Sequence, residues 1–379
     1  MPAPSLSRRH LLHLGLSAGL GAPTIGRAAV APLVVGQSIT LEAGRNAHGN
    51  AALAGVKLAL EAANREGGVQ GQLIELRTLD DGNRVEQAEA NAQRLVGDGV
   101  LLLFGSVEGG PSGAVAKVAM ASRTPFIGPM AGSPGLRRPV HEMVFPVRAE
   151  HLDEFRALVA YGRRTGLRRV ALFHSDSPTG REHLANVQRL AAEAAMAFAG
   201  GQAFGGNVTD AQLDAVIAGL DTAQVDLVLN HGSPAVYERL IRRARAAGLR
   251  AAFWGVNSGS TALATALGPL ARNMVFAQVV PSPFARKTAL TRRYQAAWRA
   301  AMGDTPFGYS SLEGYATAQV LVAALRAAGP APTRASLLKV LASFDLDLGG
   351  MSVRYRPDDH AGSRFVDLSM VAGDGHFIQ

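Results

Sequence analysis

The residues best placed to do chemistry in this 379-residue chain gather in three short loops. The first runs from Ser38 to Asn50 and carries Glu42, Gly44, His48 and Gly49. The second is Gly105-Ser106-Val107-Glu108-Gly109-Gly110-Pro111-Ser112, and the third is Gly128-Pro129-Met130-Ala131-Gly132-Ser133-Pro134. Each follows an apolar run that reads as a strand. In open α/β sheets, ligands bind beyond the carboxyl ends of strands. Small residues there let backbone N–H groups at helix N-termini approach an anion such as a ligand carboxylate. Gly and Pro also make ordinary turns, but three such loops in one block favour a binding site.

Signatures of catalysis are weak by comparison. Gly15-Leu16-Ser17-Ala18-Gly19 matches a nucleophile elbow but lies in the N-terminal apolar stretch. There is no Walker-type phosphate loop, and the ten histidines are scattered without metal-ligand spacing. The absence of cysteine removes thiol nucleophiles and zinc–thiolate sites. Asp358-Asp359-His360 and Asp80-Asp81-Gly82 read as polar turns. Ser106 with His48 can be drawn as a hydrolase pair, but no spacing supports it. No catalytic residue, metal or cofactor is expected, and the chain is read as a binding protein, not an enzyme.

The elements that must carry the loops alternate between strand and helix. Leu33–Gln37 reads as a strand; Leu53, Val56, Leu60 and Ala63 then share one helical face that ends at Gly67-Gly68. Leu73–Leu76, Val100–Phe104 and Pro125–Ile127 are further strands, the second apolar throughout as a buried parallel strand should be. After a break near Phe145-Pro146-Val147 the pattern restarts. Helices begin at His151, Arg181 and Asp210, strands cover Val170–Phe173, Asp226–Leu229 and Ala252–Trp254, and a helix spans 236–247. The last third holds a strand at Val275–Val280 and helices near 290–302, 312–328 and 335–343. A closing β-pair is expected at Met351–Tyr355 and Phe365–Val371. Two βαβ blocks in series imply an α/β chain with two doubly wound parallel-sheet lobes.

Composition agrees with a folded, exported protein. Hydrophobic content of 47% is enough for full cores. The formal charge is +8, carried almost wholly by arginines scattered singly or in pairs beside acids. That is a solvated helix surface and not a nucleic-acid stripe. At the N-terminus, Ser7-Arg8-Arg9 precedes a mildly apolar run from Leu14 to Ile25. This resembles a twin-arginine export signal, and cleavage after Ala28 is expected. A basic amphipathic helix is the other reading; Gly15, Gly19, Gly21 and Pro23 count against it. The mature part is expected to be periplasmic.

An ordered set of segments then resembles the Leu/Ile/Val-binding protein family, the type I periplasmic solute-binding proteins of ABC importers. The segments are Val35–Gly36 through Gly55–Val56, Ala63–Gly71, Leu79–Gly82, Thr124–Pro129, Val279–Pro283, Ser311–Tyr315 and Gly362–Leu368. The resemblance covers essentially the whole mature chain. It implies a type I fold with three crossings between lobes, placed near Pro146–Arg148, Val280–Pro283 and Gly349–Gly350. The first lobe would be residues 32–147 plus 282–348, the second 148–281 plus 349–379. It also implies a monomer that holds a small molecule between its lobes and docks on a membrane permease. A periplasmic sensor of the same fold is a further reading, and a periplasmic hydrolase a weaker one.

Carried over residue by residue, the family's ligand positions depart from pattern here. Carboxylate-binding hydroxyls fall near Gly109-Gly110 and Gly132, so Ser106, Ser112 or Ser133 would have to substitute, beside Ala131. His48 stands at an aromatic position, Thr179 precedes Gly180 where Tyr is common, and Ser233 replaces a further aromatic residue. The acid that pairs with an α-ammonium aligns with Asn257. A buried ammonium without a carboxylate is costly, so Asn257 suits a neutral group, unless Glu42 or Glu108 supplies the charge. The ligand-binding set is therefore Glu42, His48, Ser106, Gly110, Ala131, Gly132, Ser133, Thr179, Ser233 and Asn257.

Overall fold

The computed structural model describes residues 31–257 and 259–379; the expected export signal at residues 1–28 lies outside them. The first block alternates β1 (Leu33–Ile39), α1 (Ala47–Arg65), β2 (Ile74–Asp80), α2 (Val85–Gly97), β3 (Leu102–Phe104), α3 (Gly109–Ala121), β4 (Phe126–Ile127) and β5 (Val144–Phe145). Its strands form one parallel sheet in the order β2-β1-β3-β4-β5. Side chains alternate between its faces as the period of two requires. Leu102 and Phe104 enter one apolar cluster while Leu103 between them enters the other.

The second block runs α4 (His151–Arg164), β6 (Arg169–Ser175), α5 (Pro178–Glu193), β7 (Ala197–Phe204), α6 (Asp210–Thr222), β8 (Leu227–His231), α7 (Pro234–Ala246), β9 (Ala252–Gly255), α8 (Ser260–Leu267) and β10 (Val275–Gln278). The chain then returns to the first lobe for α9 (Ala289–Met302), α10 (Tyr309–Ala327) and α11 (Arg334–Leu341). A small sheet of β11 (Asp345–Asp347), β12 (Ser352–Arg356) and β13 (Asp359–Gly362) follows, then β14 (Asp367–Val371) and β15 (Phe377–Ile378). The second sheet has the order β15-β14-β10-β9-β8-β6-β7, with β14 and β15 antiparallel. Ala171 and Phe173 pack on one face of it, Val170 and Leu172 on the other. Both lobes are thus doubly wound. Among the described residues, no helix is long and apolar enough to cross a membrane.

Glycines let α10 lie against α1. A Cβ on Gly55 would run into the Ser311 carbonyl oxygen, and one on Gly314 into that of Ala52. The two backbones touch at reciprocal points, and Ser310 of α10 stands beside His48 of α1, their side chains 2.8 Å apart.

Two expectations differ from the structure, and one strand carried no sequence signal. β7, with the sequence AFAGGQAF, has no strand signal of its own because Gly and Ala lack β propensity; its place at the sheet edge beside β6 makes it a strand. Residues 351–355 and 365–371 do not pair with each other: β12 pairs with β11 and β13, and β14 with β10 and β15. The third crossing is not at Gly349–Gly350. Met351, Val353 and Tyr355 sit in the first lobe's core, and Tyr355 donates its hydroxyl to Pro146 O at 2.9 Å. The chain passes over after Gly362, where a Cβ would strike the Pro146 carbonyl and where Ser363 N–H donates to Val147 O at 2.8 Å.

Candidate functional site

Where the lobes meet, charged and polar side chains from both are sealed from solvent. Arg148 follows the first crossing, and His151 and Glu154 lie on the first turns of α4. Glu313 comes from α10, and Asn257 from the loop after β9. All five are 5% exposed or less. Arg148 pairs with Glu154 in a very short contact, and its Nη1 lies 3.7 Å from Glu313 Oε1. Glu154 Oε1 also faces His151 Nδ1 at 2.8 Å, while its Oε2 accepts the Asn257 backbone N–H at 2.8 Å. Asn257 Nδ2 donates to Glu313 Oε2 at 2.7 Å. Asn257 Oδ1 and His48 Nε2 have no hydrogen-bond partner, and Glu313 Oε1 and Arg148 Nη1 have none beyond their ion pair.

Burial governs the charge states. It pushes Glu313 up to about 7 against the pull of Arg148, and it raises Glu154 as well. It lowers His48 to about 4 and His231 to about 3, and holds His151 and His183 well below the ordinary value. The imidazoles are therefore neutral at neutral pH, and Arg148 is the cation of the cluster, flanked by two carboxylates.

The first and third loops are held by groups that sequence reading passed over. Asp80 accepts the backbone N–H groups of Leu41, Glu42, Ala43 and Gly82 at 2.9–3.2 Å. These bonds outweigh a burial penalty and bring its carboxyl down to about 2. Asp81 accepts from Thr40 Oγ1 at 2.6 Å and Ser38 Oγ at 3.2 Å. The two acids thus clamp the Glu42 loop, beyond making a turn. Buried Arg137 donates to the carbonyls of Ala131, Ser133 and Arg148 at 2.8–3.2 Å, tying the third loop to the crossing.

Of the residues singled out by sequence, His48, Gly132 and Asn257 come together here. His48 Nδ1 is 2.8 Å from Ser310 Oγ. Gly132 O accepts the His151 N–H at 2.9 Å, and a Cβ on Gly132 would lie 2.7 Å from the His151 ring. Ala131 is buried beside them. Ser133 and Thr179, from opposite lobes, both approach Gly109: a Cβ there would be 2.6 Å from Ser133 Oγ and 4.0 Å from Thr179 Oγ1. Glu42 is half-buried on the clamped loop with φ of 51°. The rest lie apart. Ser106 Oγ is 2.7 Å from Ser112 Oγ, which leaves Ser106 2.7 Å from another hydroxyl and not from His48. Gly110 is exposed on α3 facing Val85, and exposed Ser233 caps α7, accepting the Val236 N–H at 3.4 Å.

Arg137, Arg148, His151, Glu154, His183, His231 and Glu313 were not singled out. Arg148, His151 and Glu154 carried a usable signal: charged residues at a crossing, with His151 and Glu154 three apart on one helix face. Glu313 and the other two histidines carried none. Asn257 stands where the resemblance places an acid, and the carboxylate absent from that position is found on Glu313, 2.7 Å from the Asn257 amide. Two cavities, of about 470 and 400 Å³, lie elsewhere, one beside β7 and α6 and one between α2 and α3; neither is lined by any residue of this cluster.

A family profile described as periplasmic binding protein matches residues 32–375. The leucine-, isoleucine-, valine-, threonine- and alanine-binding protein of Pseudomonas aeruginosa is 26% identical over 292 residues, 75% of each chain. Two crystal structures align at 26% identity. The substrate-binding periplasmic protein of Ralstonia solanacearum has a TM-score of 0.81, covering 92% of this chain and 99% of its own. A possible leucine/isoleucine/valine-binding protein of Rhodopirellula baltica has a TM-score of 0.82, covering 93% and 97%.

Proposed function

From the premise that the chain belongs to the periplasmic binding protein family, as a Leu/Ile/Val-binding-type solute-binding protein, we propose that it captures a small polar molecule between its lobes. The molecule is of the amino-acid, carboxylate or amide class, and the protein delivers it to the permease of an ABC importer. The observation that carries this reading is the sealed cluster at the lobe junction. Buried polar atoms normally have partners, and leaving one without costs free energy. Here two acceptors, Asn257 Oδ1 and Glu313 Oε1, and a donor, Arg148 Nη1, are buried without a hydrogen bond in one place, the last two held only by their 3.7 Å ion pair. A solute carrying both donors and an anionic or carbonyl oxygen satisfies all of them at once. The Pseudomonas relative is named for aliphatic amino acids and threonine, and Glu313 gives this chain a carboxylate that could face an ammonium. Residues 1–28 would direct export to the periplasm.

Thermal unfolding of the full chain against a panel of amino acids, aromatic and aliphatic carboxylates and amides tests the reading. A ligand at a hundredfold excess over its Kd adds about 2.7 kcal/mol, which is about 4 °C for a chain of this size. A saturable rise that is lost in Asn257→Ala supports capture at the junction. No rise with any member of the panel, or consumption of the compound during the assay, overturns it.

A further inference from the structure

The ten histidines are scattered in sequence, but three of them are not scattered in space. His151 opens α4, His183 lies midway along α5, and His231 ends β8. Strands β6 and β8 are neighbours, and α4 packs on α5, so the three imidazoles meet at the carboxyl end of the second sheet. One ring nitrogen from each lies within 4.8 Å of the other two. The rings stand edge-on to one another, with centroids 4.2–5.1 Å apart and interplanar angles of 64–83°.

Ordinary packing leaves this arrangement unexplained. A neutral imidazole always has one N–H donor and one lone-pair acceptor. His183 is wholly buried, and neither of its nitrogens has a hydrogen-bond partner. His231 Nδ1 is likewise buried and unpartnered. Two rings with orphaned nitrogens, facing a third, cost free energy if nothing joins them. His151 is already oriented: its Nδ1 faces the Glu154 carboxylate at 2.8 Å. That contact puts the proton on Nδ1 and leaves the Nε2 lone pair free, the carboxylate–histidine arrangement that orients metal-binding imidazoles. Glu154 is itself fixed through its other oxygen by the Asn257 N–H.

We propose that His151, His183 and His231 bind a divalent transition-metal ion of the zinc class, with Glu154 as the positioning carboxylate for His151. Three neutral imidazoles suit Zn²⁺, Co²⁺ or Ni²⁺ and not Mg²⁺ or Ca²⁺, which take oxygen ligands. Zinc–nitrogen bonds of about 2.0–2.1 Å set tetrahedral ligand atoms about 3.3 Å apart, so small ring rotations close the site. Glu154 and Glu313 offset the charge that the ion adds beside Arg148. Three protein ligands leave one of zinc's usual four positions for a donor from outside the chain. This site goes beyond solute capture and stands whether or not the protein delivers a solute to a permease.

The test uses the full chain without a histidine tag, stripped with a chelator and titrated with Co²⁺. One equivalent should give the intense visible absorption of four- or five-coordinate Co²⁺, and Zn²⁺ should displace it. His183→Gln and His231→Gln should each weaken binding by more than the about 10–100-fold typical of losing an orienting partner. Glu154→Gln should fall within that range. His376→Gln, at an exposed position, should leave the titration unchanged. No Co²⁺ absorption in the wild-type chain overturns the proposal, as does absorption that survives in both histidine variants. Should His183→Gln fail to fold, the wild-type spectrum and His231→Gln still decide.

Discussion

Replacing Glu313 with Gln should flatten the pH dependence of stability on the alkaline side. Glu313 is 1% exposed, and burial outweighs Arg148 to push its carboxyl from 4.5 up to about 7. A carboxyl whose folded pKa is raised binds its proton more tightly in the folded state. Its contribution is therefore fully present below the unfolded value and is lost as pH rises through about 7. The gap from 4.5 to about 7, at about 1.4 kcal/mol per pH unit, is worth about 3 kcal/mol. Urea denaturation of the full chain at pH values from 5 to 8.5 gives the stability profile. The wild type should lose about 3 kcal/mol relative to Glu313→Gln across that range, and the glutamine can keep the hydrogen bond from Asn257. Taking the difference between the two profiles cancels the buried histidines, whose lowered values act at the acid end in both proteins. Parallel profiles would refute the account of a carboxylate held at the edge of ionisation beside Arg148.

Arg148→Met removes the cation that Glu154 and Glu313 share and should cost about 3–5 kcal/mol in urea denaturation at pH 8, with part of the loss recovered at pH 5 as the carboxyls protonate. Gly132→Ala puts a methyl 2.7 Å from the His151 ring; overpacking of about 1–3 kcal/mol is expected, and the Co²⁺ titration should weaken because that ring is displaced. Asp80→Asn should lower stability at neutral pH and remove a step from the acid limb. The carboxyl at about 2 contributes stability that is present above the unfolded value near 3.8 and lost as pH falls through about 2, so an acid melt of the variant should start from a lower plateau and lack that step. Gly55→Ala drives a Cβ into the Ser311 carbonyl of α10 and should lower the thermal midpoint by several degrees, with weaker ligand binding as Glu313 moves.

Most of the architecture was legible because it rests on local period and composition. The apolar run Val100–Phe104 announces a buried parallel strand whatever surrounds it, and β3 (Leu102–Phe104) occupies it. β7 was missed because its Gly-rich sequence has no strand preference of its own; pairing with β6 imposes one. The third crossing was misplaced because Gly349-Gly350 looks like a lobe boundary, when those residues make the turn between β11 and β12. What fixes β12 in the first lobe is the inward alternation of Val353 and Tyr355, which becomes meaningful only when the core they enter is known.

The site divides along the same line. The sequence by itself determined the α/β alternation, the loops beyond the strand ends and the family, because periodicity and short segments record interactions between near neighbours. It also supplied His48, Gly132 and Asn257 for the junction. The tertiary structure alone decided which charges meet there. Glu313 stands 56 residues from Asn257 in sequence and 2.7 Å from it in space, and His151, His183 and His231 converge from two helices and a strand end. Electrostatics and metal ligation act over a few ångströms regardless of chain separation, so they depend on how helices and sheets pack, and no spacing along the chain encodes that directly.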